Sequence, residues 1–201
     1  MNRVIIFDFD GTITYHDTFI SFISFAKGYF HCYLGFLICS PIIFLWKIGL
    51  IKNWQAKQFI FSYFFKGMNL DEFNELGKDF SESISKDSRP KAIEEIKKNI
   101  SQKNEIIIIS ASIENWITPW ASSVGINNIL STKIDVTPAN KLTGKFSSKN
   151  CHGKEKVNRL LEAFPLIASE RQNYYIIAFG DSKGDKDIIN YSDEGYLNYF
   201  Q

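Results

Sequence analysis

Val4-Ile5-Ile6-Phe7-Asp8-Phe9-Asp10-Gly11-Thr12-Ile13-Thr14 is the stretch on which the rest of the chain is organised. Val4 to Phe7 are four consecutive apolar residues, β-branched at Val4, Ile5 and Ile6, and Gly11 supplies a turn soon after. A short apolar run bounded in this way reads as a central strand rather than a helix. The run stops at charge, and in an open α/β sheet the carboxyl end of such a strand is where ligands bind. If the strand continues, alternation puts Asp8 and Asp10 on one side and Phe9 on the other. Two carboxylates so close repel unless a cation or a shared proton offsets them, and a hard metal ion is the economical answer.

The chain has 201 residues, 45% hydrophobic and 22% charged, enough for one well-buried core with a smaller inserted module. A formal net charge of +1 gives no basic footprint for nucleic acid. Cys32, Cys39 and Cys151 are an odd number without a metal-like pair, so they read as reduced thiols of a cytoplasmic protein; a Cys32–Cys39 disulfide is the weaker reading. Asp8 comes too early for a signal-peptide apolar region.

After Thr14 the character changes. Tyr15 to Lys27 is aromatic-rich at helical spacing, and Gly28 to Trp46 holds no Asp, Glu, Lys or Arg. That span is near the minimum of roughly 20 residues for crossing a bilayer. Gly35 and Ser40-Pro41 interrupt it, and Pro41 predicts two shorter helices. Lys27, Lys47, Lys52, Lys57 and Lys66 flank the apolar part, which suits a hairpin lying on the inner face of the membrane. The interruptions favour a buried or ligand-facing helical cap over that interfacial arrangement, and both over a true span. Helical patterns continue from Asn53 to Ser88, and Pro90 opens a further helix through Ile100. Residues 15–88 are therefore expected to form a helical cap, inserted into a core made of 1–14 and 89–201.

The α/β pattern then resumes. Ile106 to Ile109 is a second buried strand ending on Ser110, Ala111 and Ser112. Trp116 to Val124 reads as a helix, Ile129 to Val136 as a strand, and Leu142 to Phe146 as part of a hairpin. Gly153 to Phe164 is an amphipathic helix with Lys154 at its start, and Tyr174 to Phe179 is a strand ending in Gly180-Asp181. A helix is expected over Gly184 to Asn190 and a last short strand over Tyr196 to Tyr199.

Four segments thus put polar groups at strand ends or at a helix start: Asp8 with Asp10, Ser110, Lys154, and Asp181 with Asp185. Singly, each has a plainer explanation. Asp-x-Asp-Gly-Thr could be an acidic turn, Ser110 a helix cap, Lys154 a solvated charge, and Gly180 to Asp185 a capping turn. Together they match what a phosphate monoester requires: a nucleophile, a divalent cation, fixed donors for the phosphate oxygens, and an acid for the leaving alkoxide. Asp8 can attack phosphorus, Asp10 can protonate the leaving group and then activate water, and Ser110 and Lys154 can hold phosphate oxygens beside the backbone amides around Phe9, Asp10 and Gly11, with Gly11 and Thr12 counted among the substrate-binding residues. His16, His31 and His152 lack metal-ligand spacing.

The arrangement resembles the haloacid dehalogenase superfamily of hydrolases, in its phosphoserine-phosphatase-like branch with a helical cap after the first motif. The motifs stand here as Asp8-Phe9-Asp10-Gly11-Thr12, Ser110, Lys154 and Gly180-Asp181-Ser182-Lys183-Gly184-Asp185. The resemblance implies an α/β fold, a Rossmann-like core with a mostly parallel sheet and an all-helical cap. It implies Mg²⁺ held by the Asp8 carboxylate, the Asp10 backbone carbonyl and Asp181, with Asp185 in support, and an aspartyl-phosphate on Asp8. Asp17 falls where serine-specific relatives carry an acidic substrate-binding residue, but no arginine occurs between Arg3 and Arg89 to match their cap arginine. The partner is then a phosphorylated small molecule or, given the apolar cap, a lipid phosphate of the phosphatidylglycerophosphate type met at the membrane surface. Carbon–halogen hydrolysis is disfavoured, since displacing halide needs neither an acid like Asp10 nor a divalent cation. A membrane-associated binding module with a vestigial hydrolase core is the alternative of a different class.

Overall fold

Four apolar residues in a row can be buried only if both faces of their strand are covered, and the sheet is built around that requirement. A computed structural model describes all 201 residues. The first strand, β1 (Asn2–Phe7), is followed by four helices, α1 (Thr18–Lys27), α2 (Tyr29–Lys47), α3 (Asn53–Phe65) and α4 (Leu70–Lys86). The chain goes on through α5 (Pro90–Ser101), β2 (Glu105–Ile113), α6 (Glu114–Ser123), β3 (Asn128–Thr132), β4 (Ile134–Val136) and β5 (Leu142–Phe146). It ends with α7 (Lys154–Ala163), α8 (Pro165–Ser169), β6 (Tyr174–Gly180), α9 (Lys186–Tyr191) and β7 (Glu194–Leu197).

Five strands form one parallel sheet in the order β3-β2-β1-β6-β7, with β1 at its centre. Ile6 of β1 stands level with Ile107 of β2 and Ala178 of β6. Alternation divides the core. Ile5 and Phe7 join a large cluster with Ile96, Trp116 and Trp120, while Val4 and Ile6 face Leu160, Ile167 and Ile188 across the other face. The fold is α/β and Rossmann-like, as the apolar runs predict.

The helical insertion leaves and rejoins the core by two adjacent segments. Thr14 bridges to Ser88, the Tyr15 amide donates to the Asp87 carbonyl at 2.9 Å, and the Arg89 amide donates to the Ile13 carbonyl at 2.8 Å. Aromatic side chains join the two parts. Phe22 of α1 stacks on Trp116 of α6 with centroids 4.5 Å apart and meets Phe73 and Phe80 of α4 edge-on. Gly77 lets α4 approach α6 closely, since a Cβ there would lie 2.6 Å from the Asn115 carbonyl oxygen. The β4–β5 hairpin stands outside the main sheet and braces α3: the Gly67 amide donates to Leu142 O at 2.8 Å, and the Leu142 amide to Met68 O at 2.9 Å.

Four local expectations need correction. The single strand expected over Ile129 to Val136 is two, β3 in the main sheet and β4 in the hairpin. The strand does not continue through Asp10; β1 ends at Phe7 and Gly11 with φ of +76° turns the chain, so strand alternation does not govern Asp8 and Asp10. Pro41 does not divide the apolar span, because α2 runs unbroken from Tyr29 to Lys47. Pro41 lies on the exposed side of α2, where the carbonyl it leaves unbonded is not trapped in a core. The last strand is Glu194–Leu197, two residues earlier than the pattern suggests. The three cysteines are free and buried. Cys32 and Cys39 sit seven residues apart on one helix, about 10.5 Å along its axis, which is beyond disulfide reach.

Trp116 is wholly buried and donates its indole N–H to Thr18 Oγ1 at 3.1 Å, tying core to insertion. Trp116→Ala should therefore cost about 3–5 kcal/mol in chemical denaturation. A loss below about 1 kcal/mol would show that the aromatic cluster does not couple the two parts.

Candidate active site

Asp8 follows the last residue of β1, and its amide donates to the Phe179 carbonyl of β6 at 2.9 Å, which sets the carboxylate at the carboxyl edge of the sheet. The loop after β6 brings Asp181 and Asp185 to the same place. Between them stands Lys156, 2% exposed, with Nζ 2.5 Å from Asp8 Oδ1, 2.6 Å from Asp185 Oδ1 and 2.8 Å from the Ile109 carbonyl. All three donors of the ammonium are thus in use. Asp185 is gripped further by the Ser182 amide at 3.0 Å and hydroxyl at 2.9 Å.

Electrostatics follow from that packing. Burial raises the Asp8 carboxyl to about 7, with Lys156 opposing and Asp185 and Asp10 adding to the rise. Burial would raise Asp185 too, but Lys156 and the Ser182 donors outweigh it and hold that carboxyl below its usual range. Burial would lower the Lys156 ammonium, yet Asp8 and Asp185 more than reverse this and raise it. Asp181 is raised by burial and by the charge of Asp185.

The oxygens of Asp8, Asp181 and Asp185 lie within 4.8 Å of one another. Carboxylate donors so arranged suit a hard, oxygen-seeking ion such as Mg²⁺, and the raised Asp8 and Asp181 are what a cation would relieve. Two glycines permit the approach. A Cβ on Gly11 would lie 2.2 Å from Asp181 Oδ2, and one on Gly180 would lie 2.4 Å from Asp185 Cβ.

Asp10 has a separate setting. Its Oδ1 accepts from the Thr18 amide at 2.9 Å and hydroxyl at 2.6 Å, and its Oδ2 from the Ser112 hydroxyl at 2.7 Å. Burial and the nearby Asp17 raise its carboxyl, against the pull of Lys57. Asp10 therefore spans the junction, held by α1 of the insertion and by β2 of the core. Its carboxylate stands apart from the Asp8–Asp181–Asp185 cluster, so the metal assignment cannot rest on that side chain.

Of the other expected site residues, Ser110 is buried, accepts from the Ser112 amide at 3.0 Å, and lines the same cavity as Asp8 and Asp10. Thr12 is buried with its hydroxyl 3.5 Å from Asp8 Oδ2. Asp17 lines the cavity but spends its carboxylate capping α1, accepting from the Phe19 amide at 2.8 Å and the Ile20 amide at 3.3 Å.

Lys154 is a correction. It is the exposed first residue of α7, and Lys156 is the lysine that enters the site. Helical side chains lean toward the amino end of the helix, so a residue in the third position can reach over that end to the strand edge. The sequence carried the signal: Lys156 lies one turn before Leu160, on the stripe that the amphipathic pattern buries. Ser112 and Lys57 were also missed as partners of the site, because their contacts are distant in sequence, and Thr18 because it meets Asp10 across an irregular turn that no periodicity describes. Lys57 of α3 donates to the Ala111 carbonyl at 3.0 Å, and its Nζ sits 4.9 Å above the Phe19 ring.

The cavity holds about 610 Å³. Its lining combines the carboxylates, Ser110 and Lys156 with apolar Phe36, Ile43, Trp46 and Ile60 from α2 and α3.

Comparison with known proteins follows the same outline. The chain is 26% identical over 200 residues to the protein CicA of Caulobacter vibrioides, covering 96% of this chain and 85% of that one. Among solved structures it superposes on a Bordetella pertussis Tohama I protein of unknown function with a TM-score of 0.82 at 14% identity, covering 98% and 90% of the two chains. The phospho-aspartyl intermediate analogue of a phosphoserine phosphatase superposes with a TM-score of 0.67 at 16% identity, over 98% and 86%. The family model for haloacid dehalogenase-like hydrolases matches residues 5–189, which takes in the end of β1 with Asp8, the whole insertion, Lys156 and the Asp181–Asp185 loop, so the chain belongs to that family.

Proposed function

We propose that the chain is a Mg²⁺-dependent phosphomonoesterase working through an aspartyl-phosphate on Asp8. The observation that carries this reading is Lys156 buried between Asp8 and Asp185 at the edge of the sheet, with Asp10 held separately beside them. Likeness to the phosphoserine phosphatase fold supports it.

In the first half-reaction an Asp8 carboxylate oxygen attacks phosphorus, the bond from phosphorus to the substrate alkoxy oxygen breaks, and Asp10 gives that oxygen a proton. In the second, Asp10 takes a proton from water, the water oxygen attacks phosphorus, and the bond to Asp8 breaks. The products are an alcohol and inorganic phosphate. Burial and Asp17, which raise the Asp10 carboxyl, favour its carrying the first proton. Lys156 orients Asp8 and balances its charge, and the Ser110 hydroxyl is in position to donate to a phosphate oxygen. Mg²⁺ bound by Asp8 and Asp181, with Asp185 and the Asp10 backbone in support, would neutralise charge on the phosphoryl oxygens.

The cavity lining supports a substrate that carries its phosphate on a partly apolar body. Phe36, Ile43, Trp46 and Ile60 face the cavity, Lys57 is the cation the insertion contributes, and Asp17 is already committed to capping α1. These walls favour a lipid phosphate, as in the phosphatidylglycerophosphate type, over phosphoserine.

Asp8→Asn preserves shape and removes the nucleophile, so Mg²⁺-dependent release of phosphate from a generic aryl phosphate should fall more than about 1,000-fold. Retention of activity in folded variant protein would overturn the assignment. Mg²⁺ should raise the melting temperature, by the equivalent of about 2.7 kcal/mol at 100 times its Kd, and Asp181→Asn should abolish the rise. An identical shift in wild type and variant would locate the metal elsewhere. Lys57→Ala should raise KM about tenfold, close to 1.4 kcal/mol, with kcat little changed. A fall in kcat at constant KM would instead assign Lys57 to the chemical step.

A further inference from the structure

A helix that is apolar all round is ordinarily covered all round, and α2 is not. Its inner stripe is spoken for: Cys32, Gly35 and Cys39 are buried against its neighbours, and Phe36, Ile43 and Trp46 line the catalytic cavity. The opposite stripe carries Phe30, Tyr33, Leu37 and Phe44, between 58% and 69% exposed, with Pro41 among them. Ile48 and Leu50 extend the patch past the end of the helix at 52% and 70% exposed. Before Lys47 the exposed polar side chains of α2 are only His31 and Ser40 at the edges of this stripe, and an apolar surface of this extent marks a place of contact.

Charge identifies the partner. From Thr18 to Leu70 there are five lysines, Lys27, Lys47, Lys52, Lys57 and Lys66, and no Asp or Glu. The chain's net charge is only +1, so the remainder is net negative, and within the helical insertion the excess of lysine belongs to Thr18–Leu70 alone, since residues 71–88 carry six Asp and Glu against two Lys. None of the five lysines pairs with a carboxylate. Lys47 and Lys52 lie exposed beside the apolar stripe, and Lys66 is exposed at the end of α3. A second copy seated on this face would set like charges against like, because an isologous contact pairs the same patch with itself. An anionic bilayer offers an apolar interior beneath a negative surface, which matches both features.

We propose that the outer stripe of α2, with Lys47 and Lys52, docks on an anionic lipid surface, the helix lying in the plane of the interface. Length and composition alone would let α2 cross a membrane. Its inner stripe is engaged by the rest of the insertion and by the cavity, and a crossing would strip those contacts away. Docking on this side brings the helix that walls the cavity against the bilayer, so that the apolar wall and the lipid phase share one element. The proposal does not rest on the hydrolase reading, since vesicle binding is measured without turnover.

The test is flotation of the full chain with vesicles of phosphatidylglycerol and phosphatidylcholine, against vesicles of phosphatidylcholine alone. Wild type should float with the anionic vesicles, and high salt should weaken this. Leu37→Glu should reduce partitioning at least about tenfold. Lys47→Glu combined with Lys52→Glu should act in the same direction, whereas Leu166→Glu, an exposed apolar position on α8, should not. Circular dichroism and turnover of a soluble phosphate ester should stay unchanged in Leu37→Glu, separating lost docking from lost folding. Absence of flotation at low salt, equal binding to neutral vesicles, or undiminished binding of folded Leu37→Glu would each overturn the proposal. So would a dimer in sedimentation that Leu37→Glu disperses while vesicle binding is absent, which would make a second copy the occupant. Membrane protein that resists alkaline carbonate extraction would replace docking by a crossing.

Discussion

The interaction on which the site depends is the buried ammonium of Lys156 shared between Asp8 and Asp185. Three charges taken out of water are tolerable only if each finds its opposite and its remaining bonds are filled. Here the lysine spends its third donor on the Ile109 carbonyl, and Asp185 collects the Ser182 donors. That bond to Ile109 also fastens α7 to β2 below the site. Removing the lysine would therefore leave two carboxylates facing each other in a dry pocket, which is why folding and chemistry are hard to separate there. Asp8 keeps a raised carboxyl even with this partner, leaving electrostatic room for a divalent cation between it and Asp181.

A second constraint is that the insertion has no core of its own. One cluster runs from Ile5 and Phe7 of the sheet through Trp116 to Phe22, Phe61 and Phe73 of the helices. The aromatic contacts that stabilise the helices also fix Thr18, the residue through which the insertion holds Asp10. Movement of the insertion would be felt at the Asp10 carboxylate, through a hydroxyl and an amide.

Much of the fold was legible because its strands are apolar runs that end in charge, as at Phe7–Asp8 and Phe179–Asp181. The segments forming the site were legible for the same reason. What could not be read was which side chain within a segment turns inward. Lys154 and Lys156 differ by two residues and about half a turn, and only the buried stripe of α7 distinguishes them. Pro41 suggested a break because a proline's effect depends on whether its unbonded carbonyl faces core or solvent, a tertiary fact. Ser112 and Lys57 have no local signature, since their contacts span 102 and 54 residues, and Thr18 meets Asp10 across an irregular turn.

The central claim is that Asp8 becomes covalently attached to phosphorus. Its most direct test is mass spectrometry of peptides from enzyme quenched in acid during turnover of a phosphate ester with Mg²⁺. The peptide containing Asp8 should gain the mass of one phosphoryl group, and that gain should vanish when quenching follows exhaustion of substrate. Full turnover with unmodified Asp8 at every quench time, or with the phosphoryl mass on another residue, would contradict the account.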